Sequence, residues 1–296
     1  MYPLPTLVSG KKQELISNYK RQVNGLENKP FYKLKGSKRI MLYNVNCFNF
    51  AIGNPRGTHA NDNIANLARE LKVDTIAICE YSDILAEEVD KMYENQVYYK
   101  QYYSFGIAAL SKHSIIDYNV LELDPQSCKE MRGAIHFNQY GLNIILTHLD
   151  VWDETGRLRK LEMGKIIEYV EQSNLENVIL LGDFNEASID KTLLGESIVE
   201  DLNISYKERT GIDKPVPNQV HDLLKKNNYI DIFDFLGRSI ANKPKFSCWS
   251  GRLVDYCYIY MPTWKDNVKI KNADFYFTTY SDHLPMVIDL VANDKD

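Results

Sequence analysis

Long hydrophobic runs are missing from this 296-residue sequence. The longest, counting Tyr and Cys, is the six residues from Tyr256 to Met261, far short of the ~20 that cross a bilayer as a helix. Cysteine is scarce: Cys47, Cys79, Cys128, Cys248 and Cys257 are five in number and contain no C-x-x-C. That pattern indicates neither a disulfide framework nor a cysteine zinc site, and it suits a reducing compartment. No secretory signal is legible, because Pro3 and Pro5 interrupt the apolar N-terminal stretch and Lys11 and Lys12 follow it instead of preceding it. The expectation is an intracellular protein, cytoplasmic or nuclear, not secreted and without a membrane span. Internal repeats and low-complexity tracts are also lacking. So are a Walker loop, H-E-x-x-H and G-x-S-x-G, which removes P-loop, zincin and α/β-hydrolase chemistry.

What is present describes a globular chain. Hydrophobic residues make up 44% and charged residues 25%, with 20 Tyr, 11 Phe and 3 Trp, a composition that can bury a core and is not that of a disordered chain. The formal net charge is −5, but it is unevenly spread. Residues 1–39 carry nine Lys and Arg against two Glu, which leaves −12 on the remainder. The chain therefore divides into a basic N-terminal arm, residues 1–37, and one domain, residues 38–296. In the arm, Leu15, Ile16, Tyr19 and Val23 recur at helical spacing within Lys11–Val23, which predicts a helix docked on the acidic body. A nucleic-acid-binding arm is the alternative reading of its charge.

Within the domain, apolar runs predict strands over Ile40–Val45, Thr75–Cys79, Ile107–Ser111, Ala134–Phe137, Leu142–Thr147, Val178–Leu181, Val254–Tyr260 and Met286–Leu290. Apolar stripes at three- and four-residue steps predict helices over Asn61–Leu71, Ile84–Tyr93, Arg157–Gln172 and Val220–Asn227. Hairpin-length and helix-length connections both occur, which favours mixed sheets covered by helices.

Polar residues stand where these runs end. T-I-A-I-C leads into Glu80, N-I-I-L into Thr147-His148, V-I-L-L-G into Asp183-Phe184-Asn185, and I-M-L-Y into Asn44, while Asp255 and the Asp282-His283 pair flank two further runs. A carboxylate at the end of a buried strand is partly desolvated and needs a cation or a donor to meet it. The set holds three Asp, one Glu, two Asn and two His and no Cys, the oxygen-rich ligand chemistry of Mg²⁺ or Mn²⁺. Asp183 and Asn185 are two residues apart, so in extended geometry they address the same side.

The blocks L-Y-N-V-N, I-C-E, F-G-I-A-A-L-S-K, L-T-H-L-D, L-L-G-D-F-N-E, L-V-D-Y and Y-S-D-H-L-P-M span Leu42 to Met286. In kind and order they resemble those of the endonuclease/exonuclease/phosphatase superfamily, the deoxyribonuclease I-like fold. The resemblance implies a four-layer α/β sandwich, two mixed sheets face to face with helices outside. It also implies Mg²⁺- or Mn²⁺-dependent hydrolysis of a phosphate ester by in-line attack of water. By the same resemblance Glu80 is the principal metal ligand, with Asn44 beside it and Asp282 in or near the metal sphere. Asp183 and Asn185 orient or deprotonate the water, Asp255 holds His283, and His148 stabilises charge on the phosphoryl or leaving oxygen. Whether Asp183 or His283 takes the proton stays open. Tyr103, Arg132 and Trp249 are candidate substrate-phosphate contacts. The pattern has departures: Cys79 stands where Gln is usual before the Glu, Asn46 where Asp or His is common, and Leu253 where Arg often precedes I-D-Y.

The resemblance makes nucleic acid the expected substrate, in the manner of a repair or processing nuclease, with no obligate protein partner. A lipid or inositol headgroup phosphodiesterase or phosphatase is the alternative, and R-L-V-D-Y in place of W-C-D-R counts against its inositol branch. A silent scaffold of the same fold would normally have lost one of Glu80, Asp183, Asp255 or His283, and all four are present.

Overall fold

The computed structural model describes residues 9–28, 31–48, 60–101, 105–123, 132–153, 155–187, 218–238, 246–249, 251–265 and 267–292, with isolated positions between them. One sheet contains β1 (Lys38–Asn44), β2 (Thr75–Tyr81), β3 (Asn95–Lys100), β4 (Gly106–Ser111), β11 (Val268–Phe275) and β12 (Met286–Ala292). The other contains β5 (Ile116–Glu122), β6 (Gly133–Gln139), β7 (Leu142–His148), β8 (Val178–Asp183), β9 (Tyr229–Asp231) and β10 (Asp255–Tyr260). Their orders are β11-β12-β1-β2-β4-β3 and β5-β6-β7-β8-β10-β9. In each sheet a single central pair is parallel, β1 with β2 and β7 with β8, and the remaining pairs are antiparallel.

Side chains of successive strand residues point to opposite faces, and the packing follows that alternation. Ile40 and Leu42 of β1, with Ala77 of β2 and Ala109 of β4, join Leu146 and Leu181 of the other sheet, which share one face by register, in one core, so the two sheets lie face to face. Met41, Tyr43, Ile76 and Ile78 point the other way and pack on Ile64, Leu67 and Ala68 of α2 (Ala60–Glu70) and on Leu71 just after it. On the far side of the second sheet, Met163, Ile166, Ile167 and Val170 of α4 (Arg157–Gln172) and Val220 and Leu224 of α5 (Gln219–Lys226) join the core. The order of layers is helix, sheet, sheet, helix, the sandwich that the resemblance implies. Each fully buried Leu or Ile in these layers contributes roughly 1.5–3 kcal/mol of transfer free energy.

One expected helix is much shorter than its pattern suggests. Over Ile84–Tyr93 only α3 (Glu87–Asp90) is helical. Ala86, Val89 and Tyr93 are buried as the stripe requires, but Ile84 and Leu85 are exposed. Three-residue turns, Leu85 N–H to Ser82 O before the helix and Tyr93 N–H to Asp90 O after it, replace further helical bonds. The α6 segment (Ile232–Phe235) is a single turn capped by Asp231.

The arm forms α1 (Ser9–Asn24), a little longer than the expected Lys11–Val23. Tyr19 and Val23 are buried and join the larger core cluster, while the side chains of Leu15 and Ile16 lie outside the described residues. After the helix, Asn28 exchanges side-chain hydrogen bonds with the backbone of Phe277 at 3.0 and 2.7 Å, and Lys33 pairs with Asp74. Among the described residues no helix is long and apolar enough to cross a membrane.

Gly182, just before the end of β8, has φ +156°, and a Cβ there would sit 1.8 Å from the Thr147 carbonyl oxygen of β7. Only glycine allows that approach. Gly182→Ala is therefore expected to destabilise the protein by about 2–3 kcal/mol through backbone displacement, read as a lower denaturation midpoint; an unchanged midpoint would mean that β7 and β8 can separate freely.

Candidate active site

Strand register brings the polar run-ends together. In the parallel pair β7/β8, His148 lies opposite Asp183, and in the antiparallel pair β8/β10, Asp183 lies opposite Asp255. His148, Asp183 and Asp255 therefore stand side by side on one rim of the second sheet. On the first sheet Asn44 pairs with Cys79, and the next residue, Glu80, is the extra one in a register shift against β4 between Cys79 and Tyr81. Its φ is +56°, an unfavourable conformation for a side-chain-bearing residue, of the kind a β-bulge uses to re-aim a side chain.

Hydrogen bonds connect the two rims. Asn44 Nδ2 donates to Glu80 Oε1 at 3.2 Å and to Asp183 Oδ2 at 3.0 Å. Asp183 Oδ2 lies 3.7 Å from His148 Nε2 and 3.8 Å from His283 Nε2, and Asp255 Oδ2 meets His283 Nδ1 at 2.8 Å. Asp183 Oδ1 accepts the Asn185 N–H at 2.9 Å, and Asn185 Nδ2 donates to the Leu149 carbonyl at 3.0 Å. Asp282 accepts the Ser281 hydroxyl at 3.2 Å. All eight candidate catalytic and metal-binding residues thus converge on the adjoining rims of the two sheets.

The remaining candidates differ. Arg132 is 2% exposed and donates through Nη1 to the His148 carbonyl at 3.4 Å. Trp249 is half-buried against the core, and its backbone N–H donates to the Asp282 carbonyl at 2.8 Å. Tyr103 lies outside the described residues.

Several supporting groups carry no sequence signal of their own. Ser247 Oγ accepts from the N–H groups of Val254 and Asp255 at 3.0 and 3.1 Å, which fixes the backbone beneath the Asp255–His283 pair. Ser281 Oγ donates to the Asn44 carbonyl at 2.7 Å, and Gln101 donates to the Gly133 carbonyl at 3.1 Å. Ser281 could have been found from its place beside Asp282, whereas nothing in the spacing marks Ser247 or Gln101.

The electrostatics of the arrangement are set by buried carboxylates. Burial pushes Glu80 up to about 7, and the nearby Asp282 carboxylate adds to the shift. Burial also raises Asp282. Burial alone would lower His283, but Asp255 and then Asp183 and Asp282 outweigh it and hold the imidazole well above its ordinary value. His148 goes the other way, pushed down to about 3 by burial, so it is neutral at physiological pH. Four carboxylates, Glu80, Asp183, Asp255 and Asp282, thus crowd around one imidazolium, and Asp255 Oδ1 is buried without a hydrogen-bond partner among the described residues. Such an excess of desolvated oxygen charge fits a hard divalent cation. Asp183, Asp255 and His283 also offer ligand atoms within 4.8 Å of one another. Because His283 Nδ1 is engaged with Asp255, its free Nε2 is the edge that faces Asp183.

Two mixed sheets whose rims meet in carboxylates and imidazoles define the α/β sandwich class of phosphoesterases. The Endonuclease/Exonuclease/phosphatase family model matches residues 41–290, and the chain belongs to that family, whose members hydrolyse phosphate esters. No curated protein matches the chain at a significant level. Solved structures do share its fold. The human Nocturnin catalytic domain with bound sulfate is 16% identical, with a TM-score of 0.63 over 90% of this chain and 100% of that one. Zebrafish (D. rerio) TDP2 complexed with a single-strand DNA product is 12% identical, with a TM-score of 0.58 over 86% of this chain and 98% of that one. An AP endonuclease from Archaeoglobus fulgidus is 14% identical, with a TM-score of 0.59 over 85% and 98%.

Proposed function

We propose that this protein is a divalent-metal-dependent nuclease or nucleic-acid phosphodiesterase. The observation that carries the reading is the convergence of Glu80, Asn44 and Asp282 with the His148–Asp183–Asp255 row and His283 at one end of the sandwich. Glu80, Asn44 and Asp282 would hold Mg²⁺ or Mn²⁺. The bound cation would supply neutralisation of the charge that develops on the phosphoryl oxygens. Asn185 and Asp183 then face the attacking water, Asn185 with its amide fixed on Leu149 O. Asp255 holds His283 in the tautomer that points Nε2 toward Asp183 and the phosphoryl group. Neutral His148 serves as a hydrogen-bond partner for the phosphoryl or leaving oxygen.

The DNA-bound TDP2 relative and the AP endonuclease support a nucleic-acid substrate. The direct test is a substrate panel with Mg²⁺ or Mn²⁺: single- and double-stranded DNA, RNA, an abasic duplex, a 5′-tyrosyl end, an inositol polyphosphate and sphingomyelin. Metal-dependent cleavage of a nucleic acid is the expected result, and turnover confined to a headgroup ester would replace this reading with the lipid or inositol one.

The arm is assigned a structural part. Tyr19 packs edge-on against Phe246, with ring centroids 6.0 Å apart, and Phe246 adjoins Ser247, which supports Asp255. Deleting residues 1–37 is expected to lower the thermal midpoint and leave the slope of log affinity against log salt for an oligonucleotide unchanged. A slope flattened by about one unit per lost phosphate contact would make the arm a nucleic-acid contact instead.

A further inference from the structure

β7 ends at His148, and the chain then makes a tightly tied turn before entering α4. Leu149 anchors this turn to the site: its N–H donates to the Asp183 carbonyl at 3.0 Å, and its carbonyl accepts Asn185 Nδ2 at 3.0 Å. Asp150 turns its carboxylate inward, with Oδ1 accepting the N–H groups of Trp152 at 2.9 Å and Asp153 at 2.6 Å. Half-buried Asp153 accepts the Thr155 N–H through Oδ1 at 3.0 Å and the Leu158 N–H through Oδ2 at 2.7 Å. Arg159 Nη1 donates to the carbonyls of Asp150 and Asp153 at 3.1 and 2.9 Å, and Glu162 Oε2 accepts the Asp150 N–H at 2.8 Å. The turn is thus fastened from within by buried polar groups.

This turn leaves its two large apolar residues outside: Val151 is 45% exposed and Trp152 41% exposed. A tryptophan could fold back onto the core at little cost if its backbone were loose, and here the backbone is not loose. Trp152 follows Leu149 by three residues, so its Cα lies within about 11 Å of the Leu149 Cα, a residue bonded to both Asp183 and Asn185. That reach is comparable to one or two nucleotide units from a phosphate held at the site. The acidic letters of D-V-W-D would repel a polyanion if they faced outward. Asp150 is buried, and Asp153 is half-buried with one oxygen accepting from Thr155 and the other from Leu158. Their carboxylates are occupied by the turn, and the exposed cation Arg157 follows it.

Resting on the function proposed above, we infer that Trp152, with Val151 beside it, is a stacking platform for a nucleobase flanking the scissile phosphate, so that the substrate class is base-bearing. An indole face binds any base by stacking and does not read its edges, so the platform confers preference for bases over base-free esters without sequence specificity.

The test compares a single-stranded oligodeoxynucleotide with an oligomer of the same length and charge made of abasic deoxyribose phosphates. The wild type should favour the base-bearing oligomer. Trp152→Ala should bring that preference down by about 5- to 150-fold, the range of one stacked base, through KM and not kcat. Trp152→Phe should restore most of it. Equal losses on both oligomers, or no change in their ratio, would overturn the inference. A second readout uses binding without turnover: in chelator the base-bearing oligomer should quench tryptophan emission in the wild type, and less so in Trp152→Phe, although Trp249 and Trp264 remain. A wild type that cleaves neither oligomer, nor any nucleic acid of the panel above, defeats the proposed function, and the emission titration then decides the platform alone. Quenching reduced in Trp152→Phe keeps it, and equal quenching removes it.

Discussion

Glu80→Gln should lower kcat/KM by about 10³-fold or more while the protein remains folded. The substitution keeps the side chain's length and its hydrogen bond with Asn44, and it removes the ligand charge. The charge neutralisation that a bound divalent cation supplies at the phosphoryl group is worth several kcal/mol, and each 1.36 kcal/mol is tenfold in rate. Titration with Mn²⁺ should show weakened binding in step with the lost activity; undiminished metal-dependent turnover would remove Glu80 from the metal set.

The same change should have the opposite sign on stability, with a pH dependence that follows from the raised carboxyl. A carboxyl whose folded value is about 7, against an ordinary 4.5, retains its proton in the folded state longer than in the unfolded one, so stability falls as pH rises from about 4.5 through 7. At pH 8 in chelator Glu80 is a desolvated anion beside Asp282, and Glu80→Gln should melt higher than the wild type. Near pH 5 Glu80 is protonated, and the two midpoints should converge. A gain that persists unchanged at pH 5 would mean that the stabilisation has another source.

The strands legible in the sequence and those that were not separate by position in the sheets. All eight strands expected from apolar runs are interior ones: β1, β2, β4 and β12 in one sheet, β6, β7, β8 and β10 in the other. The four left as connections, β3, β5, β9 and β11, are the four edges. An interior strand of a sandwich is covered on both faces and reads as a continuous apolar run, whereas an edge strand is half-wet and interleaved with charge. β5 shows this in the extreme, with Ile116 and Tyr118 more than half exposed. β11, V-K-I-K-N-A-D-F, does alternate, but a register irregularity between Ile270 and Asn272 breaks its period.

The site was legible for a related reason. Residues at the ends of interior strands are brought together by register, so a polar letter at the end of each apolar run marks the same rim. What could not be read is anything that depends on backbone conformation or on a long-range partner. The bulge that aims Glu80 has no letter of its own. Ser247 acts on Asp255 through a segment whose sequence is unremarkable. The D-V-W-D segment reads as an acidic loop, and only the hydrogen bonds that engage the carboxylates of Asp150 and Asp153 show that Trp152 is what it presents.

Asp255→Ala and His283→Ala should each lower kcat by about 10³-fold, and the double variant should lose little more than either, because groups that act as a unit are not additive. Independent contributions would multiply to about 10⁶-fold, an outcome that would contradict the dyad. Asp255→Asn then separates the two roles open to His283. The Asp255 carboxylate, at 2.8 Å from Nδ1, is the largest influence raising the imidazole, so its neutralisation should let burial draw the imidazole down. If the reaction uses the imidazolium, as a charge or a donor toward the phosphoryl group, the alkaline limb of the pH–rate profile should move to lower pH in Asp255→Asn. If it uses the neutral imidazole as the base, the acid limb should move down instead and the alkaline limb should stay. A profile unchanged at both limbs would assign proton transfer to Asp183, the other group facing the attacking water, and leave Asp255 and His283 to position the phosphoryl group.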